Sequence, residues 1–125
     1  MTILFSYDIL NDDFNIFMTS DGHQTMSFYH GTLNAWEEDK IKTDVLGLNE
    51  VKELDGFCKA LANGEKLFKR EININILNKP GRLDKCLARG NTIVDAYGNR
   101  IVIGTIIILE SSDNHVAVSY THLRA

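Results

Sequence analysis

The chain has 125 residues, 44% of them hydrophobic and 24% charged, which is the make-up of one ordinary globular domain with room for a hydrophobic core. Thirteen Lys and Arg against seventeen Asp and Glu leave a net charge of −4, and no basic run concentrates positive potential where a phosphate backbone would dock, so no nucleic acid is expected as a partner. Two cysteines, Cys58 and Cys86, are too few for a disulfide scaffold and too far apart for a CxxC site.

The N-terminus carries no signal-peptide pattern, because Asp8 interrupts the apolar run Ile3–Tyr7. The longest apolar stretch, Ile101–Leu109, falls well short of the roughly twenty residues a membrane helix needs. A soluble, cytoplasmic chain with no membrane segment is the expectation.

Ile3–Ile9 and Phe14–Met18 are short runs rich in Ile and aromatics, separated by Asn11, Asp12 and Asp13. They predict a first hairpin in which Asp12 and Asp13 bond turn amides. From Ser20 to Leu48 the pattern is mixed. Met26, Phe28, Tyr29, Leu33 and Trp36 partly fit a helical stripe, Gly31 and Thr32 interrupt it, and a short helix is expected near Asn34–Lys40. Asn49 then reads as the N-cap of a second helix with Glu50 and Glu53 in its first turn. Its stripe is Val51, Leu54, Cys58 and Leu61, and it stops at Asn63-Gly64. Gly56 inside it costs about 1 kcal/mol relative to alanine.

Phe68, Ile72, Ile74 and Ile76 alternate with Lys69, Glu71, Asn73 and Asn75, the period of a strand with its isoleucines on one face. Asn78-Lys79-Pro80-Gly81 reads as a turn, and a strand over Leu83–Val94 follows. Gly90 to Leu109 forms two β-branched arms around Asp95-Ala96-Tyr97-Gly98-Asn99. There Gly98 tolerates φ > 0, and Asp95 or Asn99 bonds the local backbone. Gly104 within the last arm marks a bulge or a close approach by a neighbouring backbone. The order of strand, strand, helical region and three strands predicts an α+β fold, an antiparallel sheet with helices packed on one face.

That order is similar to the PAS fold. Phe5-Ser6-Tyr7-Asp8-Ile9-Leu10-Asn11-Asp12 resembles the opening strand of PAS domains attached to bacterial diguanylate cyclases and sensor histidine kinases. Leu61-Ala62-Asn63-Gly64-Glu65 resembles the end of the PAS helix. Arg89-Gly90-Asn91-Thr92-Ile93-Val94-Asp95, then Gly98, then Ile103-Gly104-Thr105-Ile106, resembles the closing hairpin. The likeness covers about residues 3–110, with departures at Lys85-Cys86 and over Gly22 to Lys42. It implies a five-stranded PAS-like sheet, a sensor domain over 1–112 and a tail over 113–125. Within that tail, residues 118–125 resemble a translated sequencing adapter and are expected to be non-native.

The function this resemblance implies is that of a sensory, regulatory domain of a bacterial signalling protein. It would sense a small molecule or other cue and pass it through the last strand to a C-terminal effector of cyclase or kinase type that this chain lacks. The alternative is a PAS-fold module for protein–protein interaction or homodimerisation with no small-molecule ligand. A small enzyme is the third reading, and no Walker loop, HExxH, GxSxG or Ser-His-Asp order supports it, so no catalytic residue is expected.

Cys58 stands in Gly56-Phe57-Cys58-Lys59-Ala60 rather than in the motif of a flavin-adduct cysteine, and with Cys86 it reads as a small core residue. His23 and His30 have no matched second ligand, so neither haem nor a metal is expected, and His115 is expected in solvent. The cofactor stays unknown. Glu37-Glu38-Asp39 beside Lys40 and Lys42 reads as a solvated charged face rather than an acid–base pair. A pocket between helices and sheet would have Phe28, Tyr29, Trp36, Phe57, Ile72 and Ile74 as its lining, with plain core packing as the competing reading.

Overall fold

Alternation of apolar and polar residues builds the first hairpin. In the computed structural model, which describes residues 2–19 and 24–113, β1 (Thr2–Asp8) buries Ile3, Phe5 and Tyr7, and β2 (Asp13–Thr19) buries Phe14 and Ile16. The chain continues through β3 (Thr25–Gly31), α1 (Leu33–Thr43), α2 (Leu48–Asn63), β4 (Leu67–Ile74), β5 (Arg82–Val94) and β6 (Arg100–Asp113). Every strand pairing is antiparallel and the sheet runs β3-β2-β1-β6-β5-β4, so the first and last strands lie side by side at its centre. Among the described residues no helix is long and apolar enough to cross a membrane.

The α+β class and the antiparallel sheet match the sequence reading, but the sheet has six strands rather than five. The additional one is β3, inside the segment read as helical. Met26, Phe28 and Tyr29 fit a helical stripe only in isolation; Thr25, Phe28 and Tyr29 also favour extended backbone, and β2 offers them an edge with unpaired amides and carbonyls. The β2–β3 register shifts between Ile16 and Phe17, which leaves Phe28 as the extra residue.

Both helices start where a side chain can take up a free amide. The Thr32 hydroxyl accepts from the Ala35 N–H at 3.3 Å, and α1 then runs past the expected end at Lys40 to Thr43. In α2 the N-cap is Gly47, not Asn49. Glycine has no side chain to cap with, so Glu50 reaches back and accepts from the Gly47 N–H at 3.1 Å. Gly64 closes α2 in the left-handed conformation at φ 61°.

The helices cover one face of the sheet, and a single row of residues shows how tightly. Phe5, Gly104, Gly90 and Phe68 lie side by side across β1, β6, β5 and β4. A Cβ on Gly90 would sit 2.6 Å from Phe68 Cζ; one on Gly104 would sit 2.5 Å from Phe5 Cζ and collide with the Arg89 carbonyl. The two glycines therefore form a floor over which the two rings fold, parallel to within 6° with centroids 6.3 Å apart. From α2, Phe57 stands edge-on to both, at 5.4 Å from Phe5 and 6.1 Å from Phe68. Burying each ring contributes roughly 1.5–3 kcal/mol, and the edge-on geometry adds about 0.5–1.5 kcal/mol per pair. Gly104 thus serves a close approach, while the irregularity of this hairpin falls at Lys85/Cys86 instead.

Candidate functional site

The residues expected to line an internal pocket lie mostly in the packed core. Trp36, Phe57, Ile72 and Ile74 are buried, and Trp36 meets Phe57 at 6.0 Å and Phe14 at 4.9 Å, both edge-on. Tyr29 approaches the same cluster through Phe14 at 6.1 Å, while its hydroxyl donates to the Thr32 carbonyl at 2.6 Å. Phe28 is half-buried at the sheet edge, where its carbonyl accepts from Asn78 Nδ2 at 3.3 Å. The space between Trp36, Phe57 and the sheet is thus occupied by neighbouring rings.

A groove of about 250 Å³ does open between β1, α1 and α2, lined by polar groups that include Tyr7, Asp12, Glu37, Asp55, Cys58 and Lys59. Tyr7 donates its hydroxyl proton to Asp12 Oδ1 at 2.7 Å, and the first amide of α1, at Leu33, donates to the same oxygen at 3.2 Å. Asp12 therefore anchors a helix start rather than the turn amides expected of it. Asp8 bonds the turn, accepting from the Asn11 N–H at 3.2 Å, and Asp13 faces His30 at 2.8 Å. Asp12 sits at φ 50°, a left-handed position at the hairpin tip that aspartate takes up more readily than most non-glycine residues.

Burial dominates the electrostatics of this groove. It raises the Tyr7 hydroxyl well above its usual range, helped by the bond to Asp12, and so keeps it a proton donor. It raises the Cys58 thiol as well, reinforced by the negative charge of Glu37 and Asp55, so Cys58 keeps its proton near neutral pH. Burial pushes the Glu37 carboxyl up, with the charge of Asp55 and a hydrogen bond to it acting in the same direction. Asp55 is shifted down, first by its hydrogen bond to Lys59, whose ammonium lies 2.8 Å away. Within this pair of acids Glu37 is the one that retains a proton to higher pH.

Glu37 and Lys40 do not lie on a solvated face as expected. Glu37 is half-buried against α2, and Lys40 is only 4% exposed. Leu33, Trp36 and Lys40 recur at helical spacing, so the signal that Lys40 shares the buried side was present in the sequence, hidden by the charges beside it. Cys58 and Cys86 are buried free thiols, the environment expected of both, and burial holds the Cys86 thiol at about 12. Among the described residues no group of three His, Cys, Asp or Glu side chains comes together to hold a metal. His23, His115 and the adapter-like segment 118–125 lie outside the described residues.

The opposite face of the sheet is uncovered by the helices and sets an apolar group among polar and charged neighbours, Arg89 opposite Thr105 and the Lys85–Glu71 ion pair among them. Strand β6 presents Ile101, Ile103 and Ile107 there, beside Leu4 of β1, Phe17 of β2 and Leu87 and Ile93 of β5. Ile103 is 39% exposed and Ile107 46%. A depression of about 340 Å³ is lined by Leu4, Ser6, Phe17, Asn91, Ile103 and Thr105. Sequence reasoning missed this surface, although the β-branched run Ile101–Leu109, interrupted at Gly104-Thr105, signals a strand with apolar residues on both faces.

Comparison of the chain with protein-family models, with curated proteins and with solved structures finds no match.

Proposed function

We propose that the chain is a non-catalytic regulatory module of PAS-like architecture that works by self-association through the outer face of its sheet. The observation that carries this reading is the contrast between the two faces. The inner face is filled by Phe5, Phe14, Trp36, Phe57 and Phe68, whereas the outer face exposes Ile93, Ile103 and Ile107. Exposed apolar residues grouped on one surface favour a protein partner, and on β6 the group runs from Ile103 to Ile107 before the strand turns polar at Glu110. A change in helix packing would reach the outer face through β6, since one strand supplies residues to both sides.

Light scattering of the purified chain over a range of concentrations tests the proposal. A rise in mean molar mass with concentration is expected, and the double variant Ile103→Lys, Ile107→Lys should remain at the monomer mass. A wild-type chain that stays monomeric at high concentration would refute self-association.

A second reading, sensing of a small molecule, draws on the polar groove of about 250 Å³ between β1, α1 and α2. A ligand there would meet Glu37, Asp55 and Lys59 rather than the aromatic residues first considered. Extraction of the purified chain followed by mass spectrometry discriminates: a stoichiometric small molecule displaced by Glu37→Gln favours sensing.

A further inference from the structure

At the end of β5 remote from the aromatic row, an arginine is held by a buried charge. Asp84 faces inward opposite Ile74 and is 0% exposed. Its Oδ1 accepts from Arg82 Nε at 2.9 Å and from the Ser111 hydroxyl at 2.6 Å, and Arg82 Nη2 donates to the same hydroxyl at 2.8 Å. A carboxylate taken out of water is unfavourable unless it is paired and hydrogen-bonded, and both bonds on Oδ1 go to residues that border one surface depression. That depression, of about 480 Å³, is lined by Pro80 and Gly81 of the β4–β5 turn, Arg82 of β5, and Ser111 and Ser112 of β6.

A guanidinium carries its N–H donors in a rigid planar fork with more than one usable edge. Asp84 and Ser111 take the Nε–Nη2 edge of Arg82, which leaves the edge formed by Nη1 and Nη2. Among the described residues the Arg82 guanidinium makes no other hydrogen bond or ion pair to a partner across the sheet or turn, and its side chain is 32% exposed. We propose that this edge is a binding site for an oxyanion, a carboxylate or phosphate group on a small molecule, which accepts both terminal N–H bonds at once. The paired donors match two oxygens of either group, and charge-assisted bonds of this kind are about twice as strong as neutral ones.

Asp84 balances the charge of Arg82, and Asp113 stands opposite Arg82 in the β5–β6 register, so this end of the sheet has little net positive field. Recognition therefore works at contact, through directed hydrogen bonds, and selects the shape of the anion. Chloride, a sphere, cannot use both donors as two separate oxygens do. None of the lining residues belongs to the exposed apolar group of the outer face, so the site stands independently of self-association.

Amide NMR titration of the intact chain at constant ionic strength, with sodium phosphate, sodium acetate and sodium chloride as separate probes, tests the site. Saturable shifts of Gly81, Arg82, Ser111 and Ser112 with phosphate or acetate are expected, and none with chloride. Saturation by phosphate alone assigns a phosphorylated ligand, by acetate alone a carboxylate, and by both the shared oxyanion chemistry; each supports the site. The double variant Arg82→Gln, Asp84→Asn removes the guanidinium without leaving a lone buried charge, and should weaken binding by about ten-fold or more. The proposal is overturned by the absence of a saturable shift with either oxyanion, by equal shifts with chloride, by shifts centred on other residues, or by unchanged binding in the double variant. If that variant does not fold, the wild-type shifts decide by themselves.

Discussion

Strand β6 presents nearly the same residue types to two very different surroundings. Val102 and Ile106 face the helices and are buried to within 3%, whereas Ile103 and Ile107, one residue along from each, remain 39% and 46% exposed. Their hydrophobicity is alike, so the difference comes from what each face meets. On the inner side α1 and α2 bring Trp36 and Phe57 down onto Phe5, Phe14 and Phe68; on the outer side no element of the described chain crosses the sheet. Apolar character qualifies a surface for burial, and only the topology decides whether the same chain supplies the cover.

The comparison is broken most severely at Phe57. Phe57→Ala removes the ring that stands over both Phe5 and Phe68 and should lower stability by about 3–5 kcal/mol, read from chemical denaturation. Gly104→Ala attacks the same row from beneath, because its Cβ would meet the Phe5 ring and the Arg89 carbonyl. A loss of about 1–3 kcal/mol is expected, with a similar result for Gly90→Ala against Phe68. On the helical side Gly56→Ala sharpens the contrast: a Cβ there meets nothing within 4 Å, so the variant should gain about 0.4–1 kcal/mol in the same denaturation assay. Ile103→Lys on the outer face should alter the stability of the monomer by no more than about 0.5 kcal/mol, while weakening association.

The smallest effect is a pH dependence. The folded chain holds the Glu37 proton more tightly than the unfolded chain does, because burial and then Asp55 raise its pKa above 4.5. The native state therefore binds more protons across that window, and the Glu37 contribution is present below it and is lost as pH rises through the folded value. Cys58, Asp55 and Lys59 of α2 face this group. Glu37→Gln should be more stable than the wild type at neutral pH, and thermal melts should show the gap closing as pH falls toward 4.5.

Much of this fold was legible in the sequence where local signals agreed. The Ile72 and Ile74 alternation, the Gly64 stop and the Asp95–Asn99 turn appear as read; Asp95 Oδ1 accepts from the Tyr97 and Asn99 amides at 2.8 and 2.9 Å, and Gly98 sits at φ 83°. What escaped was decided by distant partners. β3 became a strand because β2 offered it an edge, and Asp12, in the turn where it was expected, gives its carboxylate to Tyr7 and Leu33 instead of to turn amides. Lys40 is buried because the β4–β5 turn offers it the Asn75 carbonyl and Asn78 Oδ1, from positions far along the chain. The packing of the aromatic core has a related reason: the glycines at 90 and 104 leave room for rings, and the rings of the chain itself fill that room.

The claim that the outer face is the working surface is tested most directly by recording amide NMR spectra of the wild-type chain on serial dilution. The account predicts that the amides of Ile101, Ile103 and Ile107, with those of Leu4 and Phe17 beside them, shift with concentration while those of Trp36 and Phe57 stay fixed. Spectra that do not change with concentration, or shifts gathered on Trp36 and Phe57 instead, would contradict it.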